Sequence, residues 1–412
     1  MSFITFAFKS IWSRKWSTCL LIAAIGLSTM TLITIEKTTE TTKSNFSNSI
    51  SGTDLIVGPR TGDVQLLLHT VFRVGQPSIG MRWSSYEAIR ENKAVKWAIP
   101  IALGDTHYSF PVMGTTSQYF DRYKYGYRDD LTFAMGKRFY QPQDAVVGAT
   151  VAKELGYTIG QKIKVAHGSN PNESDVHDHH PFRVVGILNR TGTPVDTTVF
   201  ISISSFAELH TDTQTIREHD HAHHHEPTYP KWIAGAFVGL NSKTMLFTTK
   251  QKILRYQDEA LTAVIPGLTL FQLWKSLSGV ELAFKLIGWM VIVIAMIGLS
   301  LSFFISVSYR KKEWSILRIF GAHPAHIFML VTLESIIIAS LGITFGYMLG
   351  FIAQSAFGPY ILNQFGISIK HINYFTAYEL KLVVMIFLSS IISPLIPAYK
   401  AFRQSISQGI GS

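Results

Sequence analysis

Residues 286–308 read LIGWMVIVIAMIGLSLSFFISVS and are followed directly by YRKK at residues 309–312. The first of these stretches contains no charged residue. An α-helix rises about 1.5 Å per residue, so about 20 apolar residues are enough to cross the hydrocarbon core of a bilayer. The stretch therefore predicts a membrane-spanning helix that ends in a basic cluster, and it decides the fold class of the chain.

Three further apolar stretches support the same interpretation. Residues 17–35 contain no charge and would form a helix about 28 Å long. Residues 326–354 contain one acid, Glu334, and residues 381–399 contain two prolines, which neighbouring helices can accommodate in a membrane. We predict a membrane α-helical fold with four transmembrane helices at residues 17–35, 283–308, 326–354 and 381–399.

The run at 17–35 has a rival interpretation as a cleaved signal peptide, which the basic Arg14 and Lys15 before it would suit. The run is long for the apolar part of a signal peptide. No small-x-small cleavage pattern follows it, and the next residues are polar and rich in threonine. An uncleaved membrane helix is therefore the favoured interpretation.

The basic residues predict the orientation of the four helices. Four helices place the segments 1–16, 309–325 and 400–412 on one side of the membrane, and all three are basic. Positively charged flanks mark the cytoplasmic side, so residues 36–282 and the short loop 355–380 are predicted to be periplasmic. The predicted location is the inner membrane of a bacterium. Lipid head groups then account for the net charge of +10, and no motif for binding nucleic acid accompanies it.

Residues 36–282 are predicted to form an α+β domain inserted between helices 1 and 2. Cys19 is the only cysteine of the chain, so this domain must be held by packing without an internal disulfide. Residues 38–51 predict a helical stalk or a linker, and Pro266-Gly267 predicts a turn before the second membrane helix. The β-rich runs are 145–148, 162–166, 182–188 and 198–203, and the helical patterns are 84–92, 149–155, 204–209 and 244–262.

Histidine is the most unusual feature of the predicted domain, which contains twelve of the fifteen histidines. Imidazole binds zinc, copper and nickel strongly, and neighbouring carboxylates add donors. The loop 210–230 is too dense in histidine for a closed structural site, so it suits loose capture of a divalent metal such as zinc. A solvated loop without a role remains the alternative, and no H-E-x-x-H pattern supports a catalytic zinc site. The candidate ligands are His177, His179, His180, His219, His221, His223, His224 and His225.

The basic loop after the second helix is the candidate docking element. It carries charge on one side and apolar residues on the other, so it could lie on the membrane surface or dock in a groove of a partner. A simple solvated loop remains the alternative. No Walker A pattern occurs in the chain, so the chain is not itself an ATPase and is not predicted to be an enzyme.

Glycines recur at every fourth position along the third helix, at Gly342, Gly346 and Gly350. Small residues at this spacing let two helices approach closely. Packing within one subunit and a seam between two copies are both open interpretations. Glu334 should face other helices, because a carboxylate in lipid is costly, and structural pairing is favoured over a proton relay.

Three stretches of the chain resemble the MacB/FtsX/LolC class of ABC transporter permeases. These are YRKKEWSILRIFGA at 309–322, PLIPAYKAFR at 394–403, and the pattern AVVG, LG, GQKIKV and FRVVGIL between residues 145 and 188. The resemblance covers nearly the whole chain. It implies a dimeric permease subunit that couples ATP hydrolysis in a separate cytoplasmic ABC ATPase, which holds ATP and magnesium, to work by the periplasmic domain (mechanotransmission). The coupling residues that it implies are Arg310, Lys311, Lys312, Glu313, Trp314, Leu317, Arg318, Gly321 and Ala322.

The histidine tract departs from the usual MacB and LolC pattern. Permeases of this class also occur in zinc-regulated bacterial uptake clusters, so the resemblance implies a link to zinc acquisition and a partner protein in the periplasm or envelope. Two alternatives remain open. One is an FtsX-like scaffold that regulates a periplasmic partner without transport, and the other is a permease for efflux of lipoproteins or small molecules. A membrane-bound metalloenzyme is disfavoured, since a catalytic motif is missing.

Overall fold

The structure, a computed structural model, describes residues 11–12, 15–75, 79–167, 181–211, 229–309, 324–365 and 377–392. The chain divides into two units. The helical unit comprises Met1–Thr41, Ser278–Tyr360 and Ile369–Ser412, and the α+β unit comprises Thr42–Leu277 and Ile361–Ser368.

Helix α1, Lys15–Asn48, contributes residues to both units. Its polar residues are compatible with a membrane because their hydroxyl groups bond within the helix. Ser28 Oγ donates to the carbonyl of Ala24 at 2.7 Å, and Thr29 Oγ1 donates to the carbonyl of Ile25 at 2.8 Å. These hydrogen bonds remove the need for water or for a partner in lipid.

The α+β unit is built on one large mixed sheet. Its helices are α2 Asp63–Thr70, α3 Trp83–Arg90, α4 Tyr119–Arg122, α5 Ala149–Leu155, α6 Ile203–Thr211 and α7 Leu246–Leu254. Its strands are β1 Leu55–Pro59, β2 Met81–Arg82, β3 Val95–His107, β4 Phe110–Thr115, β5 Lys124–Tyr125, β6 Asp129–Asp130, β7 Phe133–Gly136, β8 Asp144–Val147, β9 Lys162–Ile163, β10 Ala166–His167, β11 Phe182–Leu188, β12 Val199–Ser202, β13 Trp232–Ile233, β14 Gly235–Leu240 and β15 Leu261–Val264.

The strand order of the sheet is β15-β1-β14-β3-β4-β12-β8-β11-β7, with β10 paired to β3 and β9 paired to β11. The pairs β4–β12 and β8–β11 are parallel, and the other pairs along this path are antiparallel. Side chains of a strand alternate between the two faces of the sheet. Leu55 and Val57 therefore lie in one hydrophobic core while Ile56 lies in the other, and both cores are buried. The sheet is thus covered on both faces.

One close approach in this unit requires glycine. Gly148 follows β8 and lies against the 3₁₀ turn Pro194–Thr197. A Cβ atom at Gly148 would lie 2.3 Å from the carbonyl oxygen of Val195 and 2.4 Å from that of Asp196. Backbone atoms cannot move aside as a flexible side chain can, so only glycine fits.

The remaining helices are α8 Pro266–Tyr309, α9 Pro324–Phe365 and α10 Ala377–Ile392. Within the described residues, three segments are long and apolar enough to cross a membrane: Lys15–Asn48, Pro266–Gly298 and Met329–Gly358. Helix α10 is apolar but has 16 described residues. Met290, Ile294 and Ile297 of α8 are each more than 60% exposed, which is typical of a surface that faces lipid.

The helix at 149–155 and the strand at 182–188 are confirmed with the predicted bounds. The predicted turn at Pro266-Gly267 is wrong, because Pro266 begins α8. Proline is well tolerated there, since the first residues of a helix donate no internal hydrogen bond. The predicted helix at 244–262 is partly wrong, because α7 ends at Leu254 and β15 follows.

The long helices also extend beyond the predicted membrane segments. Helix α1 continues past residue 35, as the predicted stalk requires. Helix α8 begins well before residue 283, and α9 continues into the predicted loop 355–380. A helix does not end where its hydropathy falls, since polar residues also form helices, so hydropathy marks the membrane segment and not the helix ends.

Candidate functional site

The predicted ATPase-coupling residues, 310–322, lie outside the described residues. They fall between the end of α8 at Tyr309 and the start of α9 at Pro324. Their role stays a prediction.

The eight predicted metal ligands also lie outside the described residues, in the segments 168–180 and 212–228. The described fold shows where these segments begin. Strand β10 ends at His167, whose backbone pairs with Asp105 of β3. Helix α6 ends one residue after His210, whose Nε2 lies 3.6 Å from Oδ1 of Asp105. The last described residues before both histidine-rich segments therefore lie next to Asp105.

Within the described residues, no group of three or more His, Cys, Asp or Glu side chains is arranged to hold a metal ion. His107, two residues after Asp105 on β3, is buried and uses both ring nitrogens. Its Nδ1 lies 2.5 Å from the carbonyl oxygen of Lys164, and its Nε2 lies 2.7 Å from the hydroxyl of Tyr157. A carbonyl only accepts, so Nδ1 carries a proton, and in the neutral ring Nε2 accepts from Tyr157. Both ring nitrogens of His107 are thus occupied by hydrogen bonds within the fold.

Burial lowers the pKa of His107 below its usual value, and the hydrogen bond to the Lys164 carbonyl opposes this shift. As the pH falls below about 6.5, the unfolded chain takes up a proton at this position before the folded chain does. His107 therefore destabilises the α+β unit increasingly at acid pH. Burial also lowers the pKa of His69, so His69 likewise destabilises the α+β unit increasingly at acid pH.

We expect His107→Gln to weaken the dependence of stability on pH. Unfolding of the chain, followed by tryptophan fluorescence in urea, should show a smaller loss of stability than the wild type between about pH 7.5 and about pH 5. Tyr108→Phe is the control, since Tyr108 is 64% exposed. An unchanged pH dependence in His107→Gln would contradict the assignment.

The glycines of α9 lie against α1. A Cβ atom at Gly346 would lie 2.6 Å from the carbonyl oxygen of Gly26 and 2.8 Å from Cβ of Thr29. A Cβ atom at Gly342 would lie 2.7 Å from Cγ2 of Ile25. The third predicted glycine, Gly350, is less crowded, with Met30 Cγ at 4.0 Å. Helices α1 and α9 thus approach closely at Gly342 and Gly346. The role of the glycines in assembly stays a prediction.

Glu334 of α9 is 3% exposed and precedes the fully buried Ser335. The expectation that this carboxylate faces other helices and not lipid stays a prediction.

Ion pairs join the helices at the ends nearest the α+β unit in sequence. Lys37 of α1 lies 3.4 Å from Glu379 of α10, and Glu36 of α1 lies 3.8 Å from Lys285 of α8. Lys285 also lies 2.7 Å from Glu281 of its own helix. Sequence reasoning missed these residues. The signal for them was the presence of charges directly at the ends of the apolar runs.

The C-terminal end of α1 and the N-terminal end of α8 belong to the α+β unit and pack within it. The Phe46 ring of α1 stacks on Phe72 with centroids 4.3 Å apart, and the Trp274 ring of α8 meets Phe46 edge-on at 5.5 Å. Leu270 of α8 is buried in the hydrophobic core that Phe46 and Phe72 contact, and Leu273 also packs against that core. Each helix thus has an apolar membrane-length segment at one end and core contacts at the other.

The fold and these contacts define a helical membrane protein with an α+β domain, and comparison with known families is consistent with that class. The MacB-like periplasmic core domain family matches residues 18–253, and the FtsX-like permease C-terminal family matches residues 285–406. The chain belongs to the MacB/FtsX class of ABC transporter permeases.

The solved structures that are similar to the chain include two domains from outside the cytoplasmic membrane. The crystal structure of the periplasmic region of MacB from Actinobacillus actinomycetemcomitans is 12% identical, covers 55% of this chain and 94% of its own, and has a TM-score of 0.35. The extracellular domain of the noncanonic ABC-type transporter YknZ from Gram-positive bacteria is 14% identical, covers 51% of this chain and 98% of its own, and has a TM-score of 0.31. No curated protein matches the chain.

Proposed function

We propose that this chain is the transmembrane subunit of an ABC transporter complex in the bacterial inner membrane. Four helices cross the membrane, the α+β domain lies in the periplasm between the first and second, and a separate ATPase docks on the cytoplasmic loop 310–322. The observation that carries the proposal is that α1 and α8 each join a membrane-length apolar segment to residues anchored in the α+β core.

The proposed mechanism is mechanical. A hydrogen-bonded helix resists bending, so a displacement at one end is carried to the other. ATP-driven closure of two ATPase subunits would move the loop after α8 in each copy of a dimer. Helices α8 and α1 would then move the residues around Phe46 and Trp274, and with them the periplasmic domain.

The polar groups of the membrane segments favour this mechanism over an ion pathway. Besides the hydroxyl groups of α1, Ser340 Oγ of α9 donates to the carbonyl of Ile336 at 2.7 Å. Hydroxyl groups that bond to their own helix are not available to line a polar route. These hydrogen bonds support our proposal that the complex does its work on the periplasmic side.

Purification of the full chain from its native membrane tests the proposal. An ABC ATPase should be recovered with it, and the chain in lipid nanodiscs should change the rate of ATP hydrolysis by that ATPase. Recovery of the intact chain without any ATPase, even after crosslinking in the membrane, would contradict the proposed function.

We also propose that the histidine-rich segments bind zinc or a similar divalent metal loosely and link the complex to metal acquisition. Support comes from the ligand chemistry of imidazole and from the start of both segments beside Asp105. Loose binding at several histidines needs no preformed metal cage.

Zinc titration of the full chain by calorimetry tests this second proposal. Replacing the five histidines at 219–225 by serine should remove most of the bound zinc. Replacing His323 and His326, which lie outside the α+β unit, is the control and should leave binding unchanged. Equal zinc binding by both variants would show that the histidines at 219–225 do not bind the metal.

A further inference from the structure

Helices α1 and α8 are joined to the sheet by connections of different length. Helix α8 begins at Pro266, directly after β15 and Ile265. Helix α1 ends at Asn48 and β1 begins at Leu55, so residues 49–54 form a longer joint between them. Gly52 in this joint has a φ of +79°, a left-handed conformation that glycine allows. A few residues between two rigid elements can absorb movement as a hinge unless the fold holds them.

The last carbonyl groups of α1 are capped by residues 123–126, a segment that follows α4. The Tyr123 hydroxyl donates to the carbonyl of Ser49, and the N–H of Gly126 donates to the carbonyl of Asn48 at 2.8 Å. Carbonyl groups at the end of a helix lack a partner within the helix, so the capping segment supplies one. Tyr123 is 2% exposed, so its hydrogen bond is shielded from water.

The same segment also pairs with the joint. Ser51 and Lys124 are antiparallel bridge partners, and the N–H of Ser51 donates to the carbonyl of Lys124 at 2.9 Å. The hydroxyl of Ser51 donates to the carbonyl of Gly126 at 2.6 Å. The joint is therefore held by hydrogen bonds on both sides of the helix end, and all of these residues belong to the α+β unit.

The ring of Tyr123 connects the capping segment to the core of the sheet. It stacks on Tyr119 with centroids 4.9 Å apart, and Tyr119 is fully buried. The Tyr119 ring lies 5.3 Å from the ring of Phe200 in β12 and 6.5 Å from that of Phe237 in β14. These two strands lie on either side of the β3–β4 pair. A close-packed core transmits strain, so a force on the joint reaches the middle of the sheet.

We propose that residues 123–126 form a clamp that stiffens the joint at residues 49–54, so that a displacement of α1 is passed to the sheet and is not absorbed in the joint. Tyr123 and Ser51 are the positioning residues of this clamp. The ATP-driven displacement that the clamp passes on rests on the proposed function, whereas the clamp itself exists in the chain alone.

Hydrogen exchange of the full chain in nanodiscs tests the clamp without any ATPase. Tyr123→Phe with Ser51→Ala removes both side-chain hydrogen bonds of the clamp. The amides at positions 51 and 126 should then exchange at least about fivefold faster, because the joint opens locally more often.

Tyr86→Phe is the matched control for this exchange experiment. The Tyr86 hydroxyl is also buried and donates to a backbone carbonyl, that of Ala98, at 3.1 Å. The control should leave exchange at positions 51 and 126 as in the wild type. Wild-type exchange at these two positions in the double variant as well would overturn the clamp.

Spin labels test whether the clamp passes on movement. In a Cys19→Ser background, a label on Lys153→Cys, an exposed residue of α5, reports the distance between two copies with the ATPase bound. The distance is measured without nucleotide and with ATP and vanadate. Adding Tyr123→Phe and Ser51→Ala should remove at least about half of the ATP-dependent change, and Tyr86→Phe should keep it. A full change in the double variant would overturn the role in transmission.

A disulfide across the clamp tests for rescue. Antiparallel partners lie about 4.5–5.5 Å apart at Cα, which suits a disulfide, so Ser51→Cys and Lys124→Cys can be joined before labelling. In the Tyr123→Phe protein this disulfide should restore the ATP-dependent change until reductant is added, which a general loss of stability would not explain. Absence of rescue would also overturn the role in transmission. No change in the unmodified chain would count against the proposed function, and hydrogen exchange would still decide the clamp.

Discussion

Gly346→Leu is expected to prevent assembly of the helical unit. The added side chain would begin 2.6 Å from the carbonyl oxygen of Gly26, which belongs to the backbone of α1. Overpacking typically costs about 1–3 kcal/mol, and a clash with backbone costs more because two helices must separate. Loss of this contact also exposes Thr29 and Ile25, which pack beside it.

The measurement is the fraction of protein that remains monodisperse in mild detergent and resists unfolding by SDS. Gly298→Leu is the matched control, because a Cβ atom at this glycine of α8 meets no described residue within 4 Å. We expect Gly298→Leu to behave as the wild type. Equal behaviour of the two variants would show that α1 and α9 do not approach closely through Gly346.

The double reversal Glu313→Arg with Arg318→Glu is expected to uncouple ATP hydrolysis from the permease. If residues 310–322 bind in a groove of the ATPase, each reversed side chain faces a like charge on the ATPase where it faced an opposite charge before. Like charges brought together at an interface cost several kcal/mol, so binding of the ATPase should weaken at least about tenfold. The measurements are ATPase binding by co-purification and the stimulation of ATP turnover.

The control for this reversal is Lys153→Glu with Glu154→Lys. These neighbouring residues of α5 are exposed in the α+β unit, far in sequence from the loop. The control should leave ATPase binding and turnover unchanged. Unchanged assembly and turnover in the Glu313 and Arg318 variant would instead show that the loop is a solvated connection.

Elements governed by neighbouring residues were predicted well. The strand at 182–188 alternates its side chains, and the helix at 149–155 ends at Gly156, which adopts a left-handed conformation that glycine allows. The helical alternative for residues 38–51 is confirmed as far as Asn48, where α1 ends, and residues 49–51 are not helical. Strand β15 was missed because all four of its residues are buried although it lies at an end of the strand order, paired with β1, and such burial removes the alternating pattern by which a strand is recognised.

The sequence by itself determined the apolar membrane segments, the basic flanks, the α+β insert and the resemblance to a class of permeases. These properties follow from hydropathy and from spacing along one helix or strand. Only the tertiary structure decided that Lys37 meets Glu379, that Gly346 meets Gly26, and that His167 and His210 both lie next to Asp105. Each of these contacts joins residues far apart in the chain, and such contacts depend on how whole helices and strands pack.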